Sequence, residues 1–248
     1  MHSAPSNIDG IKHAAHEAAT ISVIIPALNE AENIGLAISS AVAAGADEIL
    51  VADGGSSDAT REIVSRHVKC KLIEAPRGRA IQQNVAASQA RGDLLVFLHA
   101  DNRLHPKALQ QVRDAYQSIP TATNFAGAFR QRIESDGLGY RLLEWGNACR
   151  VLWRGNAYGD QTIFCSRRLF ERIGGFPEEP LLEDLLFSAA VRRITRLQLL
   201  DGPVFVSPRR WQRRGIARQT LLNWSILLRH RCGVSPKQLA ASYRRHDQ

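Results

Sequence analysis

Phe97-Leu98-His99-Ala100-Asp101-Asn102 places an acid where the apolar run Leu94-Leu95-Val96-Phe97-Leu98 stops. A short, unbroken apolar run reads as a strand buried on both faces, as in a parallel sheet. Open α/β sheets bind their ligands beyond the carboxyl ends of such strands, so Asp101 stands at a candidate ligand edge. Two more acids fit that edge. Asp53 follows Ile49-Leu50-Val51-Ala52, and Glu30 lies just beyond Ser22-Val23-Ile24-Ile25-Pro26-Ala27-Leu28. Three acids at strand ends describe a mouth for a hydroxyl-rich or phosphorylated ligand held partly through a cation.

Working outward, strand and helix patterns alternate from Ile21 to Asp101 with short links, which calls for a parallel sheet with right-handed crossovers. Strands are expected at Ile21–Ile25, Glu48–Ala52, Lys71–Glu74 and Asp93–Leu98. Helices are expected over Glu30–Ala44, through Ile63 and Val64 with Ser57 as N-cap, and over Arg79–Ala90. The second half is less regular. Helices are expected at Pro106–Tyr116, Leu138–Trp153, Arg168–Ile173 and Glu183–Arg193, with strands at Phe125–Ile133 and Leu197–Val206 and a loop feeding a strand over Tyr158–Cys165. Trp145 and Trp153 read as core residues.

A chain of 248 residues with 44% hydrophobic and 23% charged content can bury a full core. No apolar stretch approaches the roughly 20 residues of a membrane-spanning helix, and the start has neither a basic nor an apolar signal region, so a cytoplasmic protein is expected. Cys70, Cys149, Cys165 and Cys232 form no Cys-x-x-Cys pair and read as reduced thiols. The net charge of +8 is uneven: residues 207–248 hold ten Lys and Arg against one acid, and residues 1–206 hold 22 against 23. Ala217, Leu221, Trp224, Leu227 and Leu228 share one helical face, ringed by Arg213, Arg214, Arg218, Arg229 and Arg231. Two readings stand for this segment: it lies on an anionic membrane surface, or it packs on the body and shows its arginines to water. No nucleic-acid motif accompanies the charge, and no nucleic-acid partner is expected.

Four motifs, Val23-Ile24-Ile25-Pro26-Ala27-Leu28-Asn29-Glu30, Val51-Ala52-Asp53-Gly54-Gly55-Ser56-Ser57-Asp58-Ala59-Thr60, Phe97-Leu98-His99-Ala100-Asp101 and Glu183-Asp184, occur in an order that resembles the family-2 glycosyltransferases of the GT-A fold. Gly78-Arg79-Ala80-Ile81-Gln82-Gln83-Asn84, Tyr158-Gly159-Asp160-Gln161 and Arg210-Trp211 look like a bacterial subgroup of poorly defined substrate. The resemblance implies an α/β, Rossmann-like, mostly parallel sheet flanked by helices. It divides the chain into a leader over 1–19, a GT-A domain over 20–206 (nucleotide-binding half 20–101, acceptor half 102–206) and a basic helical extension over 207–248.

The resemblance also implies a nucleotide-diphosphate sugar donor, an inverting transfer and Mg²⁺ or Mn²⁺. Pro26, Asn29 and Glu30 would line the nucleoside pocket, Asp53 would accept from the base, which favours a UDP-sugar, and Arg79 would meet phosphate. For Glu30, capping of the following helix is the rival role. Asp101 matches the last acid of the family's Asp-x-Asp signature and is the candidate metal ligand; His99 replaces the first acid, a departure that puts the cation site in question. Asp184 is the candidate general base, with helix-dipole stabilisation as the plain alternative for it and Glu183. Asp160, Gln161, Glu183 and Trp211 would shape the acceptor or sugar pocket. The acceptor is open.

A dehydrogenase would want Gly-x-Gly-x-x-Gly after the first strand, and Pro26-Ala27-Leu28-Asn29-Glu30 has none. A sugar nucleotidyltransferase would want a glycine-rich basic loop there. The rival from another class is a non-catalytic nucleotide-sugar binding or scaffold protein, peripheral on the inner face of the membrane, that has kept the fold.

Overall fold

The computed structural model describes residues 18–119 and 124–244. All but the last two residues of the expected leader, including His2, His13 and His16, lie outside the described residues. In chain order the elements are β1 (Ile21–Ala27), α1 (Ile34–Ala43), β2 (Glu48–Asp53), α2 (Thr60–Ser65), β3 (Cys70–Glu74), α3 (Arg79–Gln89), β4 (Leu94–Phe97), β5 (Asn102–Leu104), α4 (Ala108–Gln117), β6 (Ala126–Ile133), α5 (Leu138–Arg154), β7 (Phe164–Ser166), α6 (Arg167–Ile173), α7 (Glu183–Arg192), β8 (Gln198–Val206), α8 (Arg209–Arg214), α9 (Ile216–Arg231) and α10 (Pro236–Arg244).

One eight-stranded sheet runs in the order β3-β2-β1-β4-β7-β6-β8-β5. Strands β1 to β4 are mutually parallel, β6 and β8 are parallel, and β7 and β5 run antiparallel to their neighbours. The mostly parallel α/β sheet expected from the apolar runs is thus present. Its strands are buried on both faces: Val23, Ile25, Ile49, Val51 and Val96 point into one core, while Ile24, Leu50, Leu95 and Phe97 point into the other. Period-2 alternation between two apolar layers is what turns these strands into unbroken hydrophobic runs.

Three local expectations are corrected. Helix α1 begins at Ile34, because Glu30 to Asn33 form a separate turn in which Asn33 N–H donates to the Glu30 carbonyl at 2.9 Å. Ser57 does not cap α2: the N-cap position is Ala59, which has no side-chain cap, and Asp58 just before it accepts from the Thr60 N–H at 3.0 Å. Strand β5 was not foreseen: it is three residues long, starts immediately after Asp101 at the close of the His99–Asn102 turn, and pairs with β8 at the sheet's far edge.

Trp145 and Trp153 are not core residues; they are 65% and 81% exposed. Helix α5 buries Tyr140, Ala148 and Val151, so the opposite stripe faces outward. Helix α9 behaves likewise. It buries Gln219 and Ile226, and the stripe that reads as its apolar face, Leu221, Trp224 and Leu228, is exposed. The helix packs on the body, yet through the side opposite its large apolar residues.

The carboxyl ends of β1 and β2 are cross-tied by Gln82 of α3, whose Nε2 donates to the Ala27 carbonyl at 2.7 Å and to the Ala52 carbonyl at 2.8 Å. Its side chain is buried, so truncation removes two buried hydrogen bonds and leaves a gap, although the Ala27 carbonyl keeps its bond from Gly54 N–H at 2.9 Å. Gln82→Ala is expected to destabilise the fold by about 2–4 kcal/mol, measured by urea unfolding; a loss below ~0.5 kcal/mol would show the tie to be dispensable.

Candidate functional site

Strand β1 pairs with β2 on one side and β4 on the other, and the chain reverses its direction of travel across the sheet between β1 and β4. Such a switch point leaves a crevice at the carboxyl ends, because the two following loops turn opposite ways. Pro26 sits where that parting begins. In a parallel strand, alternate residues bond to opposite neighbours: the Ala27 carbonyl accepts from Gly54 beyond β2, and the Ile24 carbonyl accepts from Leu98 after β4. The missing N–H of Pro26 therefore faces the β4 side, beyond the last β1–β4 pair, Ile24 with Phe97, and leaves no partner stranded.

Two adjoining cavities, of about 610 and 250 Å³, occupy this edge. The larger is lined by Pro26 of β1, by Leu28 and Glu30 just after it, by Arg77 and Arg79 at the head of α3, and by the loop Glu178–Leu181. The smaller is lined by Asn102, Tyr158, Gly159, Asp160, Asp184 and Trp211, and by Asn223, Ile226 and Leu227 of α9. They share a rim of Arg79, His99, Asp101, Leu181, Glu183 and Arg210. Of the residues expected from the sequence, Pro26, Glu30, Arg79, Asp101, Asp160, Glu183, Asp184 and Trp211 are brought to these cavities.

Asn29, Asp53 and Gln161 are not. Asp53 ends β2, one strand removed from the switch point, and its carboxylate accepts from the backbone of Gly55 at 3.2 Å and of Ser56 at 3.1 Å. Asn29 accepts from Ser57 N–H at 2.8 Å, tying the β1 loop to the β2 loop. Gln161 is fully buried behind the site, where its Oε1 accepts from Arg150 at 2.8 Å. Glu30 does not cap α1: that helix has no side-chain cap, and the Glu30 carboxylate accepts from the Asn33 side chain at 2.8 Å while the residue borders the larger cavity. Burial pushes its pKa up, the Asn33 bond pulls it down, and the charge of Asp101 raises it again.

Asp184 is in the first turn of α7, on the buried face it shares with Phe187, Ser188 and Val191. One oxygen, Oδ2, accepts from Gly159 N–H at 2.8 Å; the other, Oδ1, is buried without a hydrogen-bond partner. Burial, reinforced by the neighbouring Glu183 charge and opposed by Arg79, pushes the Asp184 pKa up to about 7. Arg79 donates to Glu183 at 2.9 Å, an ion pair with its acid buried and its base half-exposed. The pair leaves a positive group at the rim between the cavities. Desolvation of the partly buried His99, with the charges of Arg79 and Arg210, pushes its pKa well below the usual range, so its imidazole is neutral near pH 7. Its Nε2 also lacks a partner.

Sequence reasoning missed two supports. Gly159 admits His99 and Asp184 against its backbone: a Cβ there would collide with His99 Nε2 and stand 2.8 Å from Asp184 Oδ2. Arg150 of α5 bonds to Asn147, Asn156 and Gln161, and its guanidinium lies 3.8 Å over the Tyr158 ring, clamping the loop that carries Gly159. The glycine stood inside a quoted motif; the arginine carried no signal, because an Arg on a helix reads as a surface charge. Three non-glycine residues among the described residues have left-handed backbone, Asn29 (φ 54°), Thr162 (φ 49°) and Leu182 (φ 67°), and of these Leu182 lines the smaller cavity. Such conformations cost about 1–3 kcal/mol each and cluster at functional sites.

Among the described residues no group of three His, Cys, Asp or Glu side chains is placed to hold a metal ion. Asp101 and Glu183 supply hard oxygens at the rim, which suits a divalent cation whose remaining ligands are water and substrate phosphate.

Residues 22–173 match the family described as glycosyl transferase family 2. A glucosyl-3-phosphoglycerate synthase of Mycolicibacterium paratuberculosis is 39% identical over 103 residues, 36% of this chain and 30% of that protein. Glycosyltransferase AglE of Haloferax volcanii is 31% identical over 101 residues, 37% of this chain and 33% of that protein. The matched segment thus spans about a third of these relatives. Among solved structures, S. aureus TarS 1-349 in complex with UDP superposes with a TM-score of 0.59 at 20% identity, covering 76% of this chain and 60% of that one. The mannosyltransferase PcManGT from Pyrobaculum calidifontis, in complex with GDP-Man and Mn2+, gives 0.58 at 22%, covering 76% and 56%. The fold is that of the GT-A glycosyltransferases, as the motifs led one to expect.

An acid whose pKa is raised by folding favours the protonated native state, so its contribution to stability is largest below the unfolded value near 4 and is lost as pH rises to about 7. Asp184→Asn removes that loss. The variant is expected to be more stable than wild type by roughly 1–3 kcal/mol at pH 8, with the gain shrinking toward pH 4 in urea unfolding. A difference that does not change with pH would refute the raised pKa.

Proposed function

The chain belongs to glycosyl transferase family 2, and on that premise we propose that it moves a sugar from a nucleotide diphosphate to an acceptor hydroxyl with inversion, Asp184 acting as general base. The larger cavity takes the nucleotide. Pro26, Leu28 and Glu30 line the end where the nucleoside rests, and Arg77, Arg79 and Arg210 supply positive charge toward the diphosphate. The sugar lies at the rim shared by the two cavities, between Asp101 and Asp184. The acceptor hydroxyl enters the smaller cavity and attacks the anomeric carbon. As the new C–O bond forms, the bond to the diphosphate breaks, and the hydroxyl proton passes to the Asp184 carboxylate.

The observation that carries this reading is the free, buried Oδ1 of Asp184 at the wall of the smaller cavity, on a carboxyl whose pKa lies near 7. A base of that pKa is matched to proton transfer near neutral pH. A binding or scaffold protein would have no use for such a group, whose burial costs stability. Asp101, with Glu183 near it, would hold Mg²⁺ or Mn²⁺, and the bound cation would neutralise charge on the departing diphosphate. Base recognition through Asp53 loses its support, because that carboxylate is turned into its own loop. A UDP-sugar remains the favoured donor by the family resemblance and by the UDP and UDP-GlcNAc complexes of a structural neighbour; GDP-Man is the alternative by another. The basic C-terminal segment gives the protein a peripheral place on an anionic membrane surface.

The test is nucleotide release from UDP-glucose, UDP-GlcNAc and GDP-mannose with and without Mn²⁺. Asp184→Asn is expected to lower turnover by ~10²–10⁴-fold while donor affinity stays within a few-fold; unchanged turnover removes the base assignment. Wild-type turnover should fall as pH drops through about 7, since only the carboxylate accepts a proton. Asp101→Ala should weaken donor binding in Mn²⁺ by about tenfold or more, and calorimetry showing wild-type affinity would discard the cation site.

A further inference from the structure

We infer that α5 and α9 together form a face that docks this protein on an anionic lipid bilayer. Eight of the eleven exposed large hydrophobic residues among the described residues lie on these two helices: Leu138, Leu142, Trp145, Leu152 and Trp153 on α5, and Leu221, Trp224 and Leu228 on α9. Leu221, Trp224 and Leu228 fall at intervals of three and four, and Leu138, Leu142, Trp145 and Leu152 at four, three and seven with Trp153 beside the last, so each set makes one outward stripe. Scattered surface leucines need no explanation; two neighbouring stripes that hold three of the chain's four tryptophans do.

The helices meet at their N-terminal ends. A Cβ on Gly139 would stand 3.0 Å from Ile216 Cδ1, and Tyr140 meets Trp211 edge-on at 6.4 Å. The inward side of α9 contributes Asn223, Ile226 and Leu227 to the smaller cavity. One helix thickness, about 10 Å, therefore separates the exposed stripe from the proposed acceptor site.

Charge selects the occupant. Arg213, Arg218, Arg229 and Arg231 are exposed along and beside the α9 stripe, and no acid occurs between Asp201 and Asp247. A second copy of the chain would set these arginines against one another. An anionic bilayer receives Trp and Leu at the headgroup boundary and pairs the arginines with lipid phosphate. The inference extends the peripheral location proposed above from the C-terminal segment to a two-helix face, and it holds or fails independently of the transferase reading.

The experiment is co-sedimentation of the full chain with vesicles of phosphatidylcholine alone or mixed equally with phosphatidylglycerol, with tryptophan emission recorded in parallel. Binding to the anionic vesicles, a blue shift of emission and weakening with added salt are expected. The triple variant Trp145→Ser, Trp153→Ser, Trp224→Ser should bind at least about tenfold more weakly, and Arg213→Glu with Arg218→Glu should do the same without moving the thermal midpoint. Absence of binding at low salt, equal binding to both vesicle types, or a wild-type dimer that the triple variant dissolves would each overturn the inference. Nucleotide-induced thermal stabilisation, measured on the same samples, separates this failure from failure of the donor site.

Discussion

The site depends on how α7 is seated. Phe187 stacks on Phe176 at 4.2 Å and meets Phe97 of β4 edge-on at 6.4 Å, and Ser188 exchanges hydrogen bonds with the backbone of Ala157. Asp184 lies one turn earlier on the same face. The aromatic packing that anchors the helix therefore drives a carboxyl group into a region poor in water, and the cost appears as a pKa pushed up to about 7. The same contact couples two distant parts of the chain. Phe97 is two residues before His99 and four before Asp101, so the packing that seats the base also fixes its position relative to the acid at the end of β4.

The second constraint is topological. Parallel strands on either side of a switch point send their loops apart, and only residues at the ends of the two parting strands face the opening. This explains why Pro26, Glu30, His99 and Asp101 border the cavities while Asp53, which shares their place at a strand end, does not. Asp53 instead braces its own loop, Asn29 ties the β1 loop to the β2 loop, and Gln82 ties the strands beneath them. Rigidity at the base of the crevice is what lets the rim hold converging charges: Arg79 against Glu183, with Asp101, Asp184 and the neutral His99 around them.

Helix α9 has two working sides. Its inner side closes the smaller cavity and its outer side carries apolar and basic groups, so whatever meets the outer side sits next to the acceptor position. Arg150 gives α5 a similar connection inward, since it clamps the loop that presents Gly159 to Asp184. Burial of the Asp184 carboxyl thus rests on both helices of the exposed face.

Strand positions and the parallel sheet were legible because burial on both faces leaves an unbroken apolar run that any reader of hydrophobicity finds. The acids at strand ends were legible for the same reason: a run that stops must stop somewhere specific. Strand β5 escaped, since three residues, set off from β4 by the turn that Asn102 N–H closes on the His99 carbonyl at 3.0 Å, carry no periodic signal. Trp145 and Trp153 were misassigned because hydrophobicity states a preference for burial and not which side of a helix finds a neighbour. By itself, then, the sequence determined the strands, the helices and the candidate acids. Only the tertiary structure decided which acids face the cavities, which of them has its pKa raised and which apolar stripes remain uncovered, because these depend on desolvation and on contacts between segments far apart in the chain, and neither is encoded in any local pattern.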